Sequence, residues 1–211
     1  MLDFLNALVL LANYIIVPGL AYGSQLALGA LGVTMVYAVL RFSNFAHGEL
    51  MSFGAMCTIL CTWALQAADI NLTILPTALL AIPIAAIITV IYCITINYFV
   101  YEHYREKKID TNTYFIVSIG VLFFTAGLIR LIIGPKDQNF ADGTRFILKA
   151  REFKSMTGLS EGLAIKTTQG MTIIVTLVLV TFVFWFLNKT RTGKSMRAYS
   201  DNEDLALLSG T

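Results

Sequence analysis

Asn44, His47 and Glu49 fall within six positions of one another in FSNFAHGELMSFG, residues 42–54, a polar interruption in a strongly apolar sequence. An amide, an imidazole and a carboxylate so close together could exchange hydrogen bonds, or protons, with a solute or with each other. They do not make a catalytic set. No nucleophile has a base beside it, no H-E-x-x-H occurs, and the second histidine, His103, lies in the basic stretch YEHYREKKID. Facing acyl chains would be costly for the ionisable pair, so these residues must face protein, water or a pathway. An interfacial turn serves equally well: Asn44 and Gly48 would supply turn chemistry, and His47 would cap a helix starting near Glu49, whose charge suits a helix N-terminus. Both readings stay open on the residues alone.

Other candidates are weaker. Cys57 and Cys61 are four apart inside an apolar run, as is the isolated Cys93; this reads as packing, with neither a metal pair nor a disulfide expected. Arg130 stands one turn before Gly134-Pro135, where a long cation reaches back to the membrane surface.

The elements that must position these residues are membrane spans. Apolar residues make up 57% of the 211 and charged residues 13%, against about 45–50% and about 25% in soluble domains; the mean hydropathy is +0.73. Charge is confined to a few loops, and the net +2 is no nucleic-acid footprint. The N-terminal stretch lacks the basic flank of a cleaved signal peptide.

No charge occurs between Asp3 and Arg41, which as one helix would run about 55 Å, nearly twice the hydrocarbon core. Pro18-Gly19 is the expected break, giving two short spans (2–17 and 24–40) or one span plus an interfacial piece. Further spans read at 48–67, 73–100 with Pro83 as a kink, 113–134 and 170–187. The fold class is therefore an all-α polytopic transmembrane helix bundle of about five or six spans in a single domain, 1–211.

Residues 101–110 and 188–200 are rich in Lys and Arg and read as cytoplasmic. The longer segment 136–169 mixes six basic with four acidic residues and should be extracytoplasmic, as should ADIN at 68–71. Residues 41–48 then fall on the cytoplasmic side; the side of the N-terminus depends on how the first segment folds. Gly19, Gly23, Gly29 and Gly32 follow helical spacing, continued by Gly48 and Ser52, as expected where helices approach closely in lipid. In the tail, Ser200 and Glu203 form a capping box with Asp201 and Asp204 nearby and Gly210 as the stop, predicting a short cytoplasmic helix over 201–209 whose Leu205, Ala206 and Leu208 would seek a protein partner.

Together these stretches resemble a family. GLAYGSQLALGALGVTMVYAVLRFSNFAHGEL (19–50) is similar to the N-terminal signature of permease subunits of branched-chain amino acid ABC importers, which include urea and amide permeases. Gly134-Pro135 and TRTGKSMRA (190–198), then Asn202 to Gly210, agree in order and spacing. The resemblance makes Asn44, His47, Gly48 and Glu49 a signature of pathway and structure together, a helix-entry turn near the inner mouth of the solute pathway whose first demand is structural. It makes 188–211, with Arg191, Gly193, Arg197, Ala198, Asn202, Glu203, Leu205, Ala206, Leu208 and Gly210, the segment coupled to an ATPase. The partners it implies are a second related permease, two cytoplasmic ATP-binding subunits and an extracytoplasmic solute-binding protein, in a bacterial inner membrane. ATP and its metal would sit on those partners, with no cofactor on this chain.

Members of the family have several more spans after the coupling segment, so this sequence reads as the N-terminal part of a longer family domain. Gln25 and the polar segment after Pro135 leave the solute open between branched-chain amino acids and urea or amides. Two other classes remain as alternatives: an ATPase-independent secondary transporter or channel, which should carry ionisable residues at mid-membrane, and a non-transporting scaffold.

Overall fold

The computed structural model describes residues 2–40, 42–69, 77–107, 110–136, 138 and 146–201. Five helical runs among them are long and apolar enough to cross a membrane: Asp3–Ala38, His47–Ala67, Ala78–Glu106, Asn112–Ile133 and Thr167–Lys189. The all-α polytopic bundle is the observed class, with one small hairpin added.

The first run corrects the expected break at Pro18. Helix α1 (Leu2–Leu11) passes through a π-helical turn at Ala12–Ile16 into α2 (Val17–Leu40) without stopping. Val17 donates its N–H to the carbonyl of Ala12, five residues back. The wider turn just ahead of Pro18 absorbs the missing donor and the ring's bulk, so the proline is carried and does not break the helix.

Backbone contacts divide the chain into two compact units, residues 31–142 and residues 1–30 with 143–211. In the first, α3 (His47–Ala67) packs on α4 (Ala78–Ile96) and on α6 (Thr111–Ile133). A second π-helical turn, Asn97–Tyr101, and α5 (Glu102–Glu106) prolong α4. Phe53 of α3 stacks on Tyr92 of α4 with ring centroids 4.0 Å apart, among the buried Met56, Cys57 and Ala85. The Tyr92 hydroxyl lies 2.9 Å from the Thr125 hydroxyl on α6, so a phenol that would be costly in a dry interior is satisfied across helices. Helix α6 closes at Gly134, whose φ of +92° is one that L side chains rarely adopt. Arg130 is exposed in its last turn.

The second unit holds the segment expected to be extracytoplasmic. There, β1 (Phe146–Leu148) pairs antiparallel with β2 (Ile165–Lys166) around the short helix α7 (Ala150–Thr157). Gly158, at φ +69°, ends α7 and returns its N–H to the Lys154 carbonyl. Asn6 and Asn13 accept hydrogen bonds from the backbone N–H groups of Glu161 and Ala164, at 3.3 and 3.2 Å. The N-terminal end of the first run therefore lies against the 146–166 segment. With that run as a single span, the extracytoplasmic side expected for the 146–166 segment from the basic loops becomes the expected side of the N-terminus as well. Helix α8 (Thr167–Lys189) then crosses, and α9 (Arg191–Asp201) follows after Thr190.

Candidate functional site

The turn 42–46 is held from three sides. Asn44 Oδ1 accepts the Ala46 N–H at 3.1 Å, closing an Asx turn, and also the Tyr101 hydroxyl at 3.3 Å. Phe45 donates its N–H to Ser118 Oγ at 3.2 Å, and the Ser118 hydroxyl passes its own proton to the Phe115 carbonyl at 2.7 Å. Phe42 stacks on Tyr114 at 5.2 Å, Phe45 meets Phe115 edge-on at 4.9 Å, and Ala46 is fully buried beside Ile96 and Val121. Residues from α4, its π-helical turn and α6 thus pin a segment that must be irregular yet keep its polar backbone satisfied.

Helix α3 starts at His47, with Ala46 preceding it and no side-chain cap. This corrects the expectation that His47 caps a helix beginning near Glu49. Asn44 Oδ1 instead takes the Ala46 N–H ahead of the helix, and the imidazole lies on α2: a Cβ added at Gly32 would stand 2.6 Å from His47 Nε2 and 2.9 Å from Cε1. Gly32 is glycine because the ring occupies that space. Glu49 sits in the first turn of α3, half-buried, with no hydrogen bond or ion pair among the described residues. Gly48 is exposed, and its carbonyl accepts the Ser52 hydroxyl.

Of the four candidate packing glycines, Gly19 and Gly23 face open space in this chain and Gly29 is half-buried, so the close approach assigned to the series is seen at Gly32. A cavity of about 470 Å³ opens beside the turn, lined by Val33, Thr34 and Tyr37 of α2 and by Asn44, His47 and Gly48. Sequence reading missed the turn's partners Tyr101, Tyr114, Phe115 and Ser118. Tyrosines beside the basic loop that starts at Tyr101 were the available signal, since aromatic side chains gather at membrane surfaces.

The C-terminal segment departs furthest from expectation. The helix starts at Arg191, ten residues before the predicted 201–209 element, and Ser200 lies inside it. Thr190 is the cap: its hydroxyl accepts the Gly193 N–H at 3.0 Å and donates to the Phe186 carbonyl at 2.7 Å. A helix already propagating past Ser200 denies that residue the extended backbone a cap requires. Gly193 is buried where the chain turns from α8 into α9; a Cβ there would fall 2.6 Å from Leu187 Cα and against the Phe186 carbonyl. Arg197 reaches back to Asn188 Oδ1 at 3.1 Å, while Arg191, Lys194 and Ala198 are exposed. Asn202, Glu203, Leu205, Ala206, Leu208 and Gly210 lie outside the described residues.

Residues 15–211 match the family described as branched-chain amino acid transport system / permease component. The chain belongs to this permease family. Among curated relatives it is 28% identical over 195 residues to the high-affinity branched-chain amino acid transport system permease protein LivH of Salmonella typhimurium. It is 27% identical over 195 residues to LivH of Escherichia coli K12, and 27% over 196 residues to the permease protein BraD of Pseudomonas aeruginosa. These alignments cover 91%, 91% and 92% of the chain and 60%, 60% and 61% of the relatives, so it spans about three-fifths of their length. No solved structure matches. As a permease-family protein with five helices among the described residues long and apolar enough to cross a membrane, it is a multi-pass membrane protein.

Proposed function

We propose that this chain is a permease subunit of an ABC importer that moves branched-chain amino acids, or a related small polar solute such as urea or an amide, across the bacterial inner membrane. ATP would be hydrolysed on two cytoplasmic partner subunits; a second related permease would complete the pathway and an extracytoplasmic binding protein would deliver solute. The family match over residues 15–211 carries this reading. The cytoplasmic corner supports it. A helix with exposed Arg191 and Lys194 is tied to the last span by Thr190, Gly193 and the Arg197–Asn188 bond. A lever needs such stiffness, because a motion imposed on α9 by an ATPase reaches α8 only if the joint does not yield. Residues 202–210 would extend the same contact.

The test is reconstitution. The chain is co-purified with candidate ATP-binding subunits and a second permease, placed in liposomes, and ATP hydrolysis is measured with binding protein, with and without leucine or urea. Solute-dependent stimulation and uptake are expected. Normal uptake without any ATP-binding subunit would refute the reading in favour of a secondary transporter.

A further inference from the structure

Helix α4 and its π-helical extension carry Thr89, Cys93, Asn97 and Tyr101 at intervals of four, on one face of a largely apolar run whose other polar and aromatic residues, Tyr92, Thr95, Tyr98 and Phe99, fall between them. That face lines a groove of about 810 Å³, across which α3 and the preceding turn present Thr58, Gly54, His47 and Asn44. The remaining wall is apolar, with Leu50, Ile82 and Val90 among its side chains. Polar groups in a spanning helix are costly against lipid, and π-helical turns recur at functional sites. Thr58 and Thr89 spend their hydroxyl protons on carbonyls of their own helices, to Gly54 at 2.9 Å and Ala85 at 2.8 Å. Each hydroxyl oxygen keeps acceptor capacity after donating, which at Thr89 is shared with a hydrogen bond to the Cys57 thiol. Asn44 Oδ1 is already taken by the Ala46 N–H and the Tyr101 hydroxyl, and the lining includes no Asp, Glu, Lys or Arg.

We propose that this groove is the solute passage of the subunit, and that the Thr58–Thr89 pair on facing helices selects net-neutral solutes that bring N–H donors. An α-ammonium of a zwitterionic aliphatic amino acid and the amide of urea share that chemistry; the aliphatic wall favours the former. A cationic solute meets no carboxylate among the lining residues and pays desolvation unrelieved, whereas an Arg105 guanidinium N–H already donates to Asn97 Oδ1 at 3.4 Å. Gly54 faces Thr89 in the groove, a Cβ there reaching ordinary contact at 3.4 Å from Thr89 Oγ1, so a larger side chain would fill the space. The inference rests on the importer reading and deepens it.

Cys93 is a built-in reporter. In a Cys57→Ala/Cys61→Ala chain reconstituted with its partner subunits, maleimide labelling of Cys93 is timed with leucine, urea or lysine present. Slowing of about fivefold or more by leucine, less by urea and none by lysine is expected. Thr89→Val, which keeps shape and removes the hydroxyl, should raise KM for leucine about tenfold with assembly unchanged, and Gly54→Leu should abolish protection. Uptake of leucine with Cys93 unprotected and the Thr89→Val KM unchanged overturns the passage. So does a Cys93 that the partner permease shields whether or not solute is present, which would make the groove a subunit contact. Protection without ATP-driven uptake would uphold the groove and overturn the importer reading instead.

Discussion

Gly193→Ala tests the stiffness of the α8–α9 joint. The added methyl would sit 2.6 Å from Leu187 Cα and 2.9 Å from the Phe186 carbonyl carbon, where carbon contacts are comfortable near ~3.5–4.0 Å. Both neighbours are backbone, so no rotamer change relieves the overlap and α9 must move away by about 1 Å. Overpacking of this kind costs about 1–3 kcal/mol. The same displacement pulls the Gly193 N–H off Thr190 Oγ1, a cap worth about 1 kcal/mol. Against these stands a gain of up to about 1 kcal/mol from replacing glycine in a helix. The clash wins, leaving α9 less stable by about 1–3 kcal/mol, or about 5- to 150-fold in its opening equilibrium. Hydrogen exchange read by mass spectrometry on peptides covering 186–201, in detergent, should show faster exchange by about that factor, with 47–67 unchanged. In reconstituted vesicles the coupling of hydrolysis to uptake should fall with insertion intact. Unaltered exchange across 186–201 would refute the argument that backbone proximity makes this glycine necessary.

Gly32→Ala should displace the His47 ring, a repacking cost offset by up to about 1 kcal/mol of helix propensity; the displacement should be lost in a His47→Ala background, a non-additivity that a double-mutant cycle on the thermal midpoint reads directly. Asn44→Ala removes the acceptor of both the Ala46 N–H and the Tyr101 hydroxyl and should destabilise by about 1–3 kcal/mol; Tyr101→Phe should cost less, because only the 3.3 Å bond is lost. Orientation is checked with membrane-impermeant maleimide on intact cells. Phe4→Cys and Met156→Cys, at positions 68% and 80% exposed, should both label, and Lys194→Cys only after permeabilisation. Labelling of position 156 without position 4 would contradict the single-span reading of the first helix.

Composition alone determined the membrane class and the approximate spans from residue 48 onward, because a span must be apolar over about 20 residues, and loop charge set the side expected of each basic loop, because Lys/Arg imbalance orients a span. The FSNFAHGEL stretch stood out for the same reason: polar groups are conspicuous where the solvent is lipid. Tertiary structure decided what local rules left degenerate. Pro18 is a helix breaker by local rule, and only the π-helical turn ahead of it shows that the chain goes on. Ser200 and Glu203 satisfy a capping pattern, yet Thr190 caps first and Ser200 lies inside the helix Arg191–Asp201. Whether Thr89, Cys93, Asn97 and Tyr101 were merely tolerated polar residues depended on α3 lying opposite with Thr58 and His47, a pairing set by the Phe53–Tyr92 stack and the buried Ala85. A glycine's meaning was likewise settled by its neighbours: Gly19 and Gly32 look alike in sequence, but only Gly32 has an imidazole where its side chain would be.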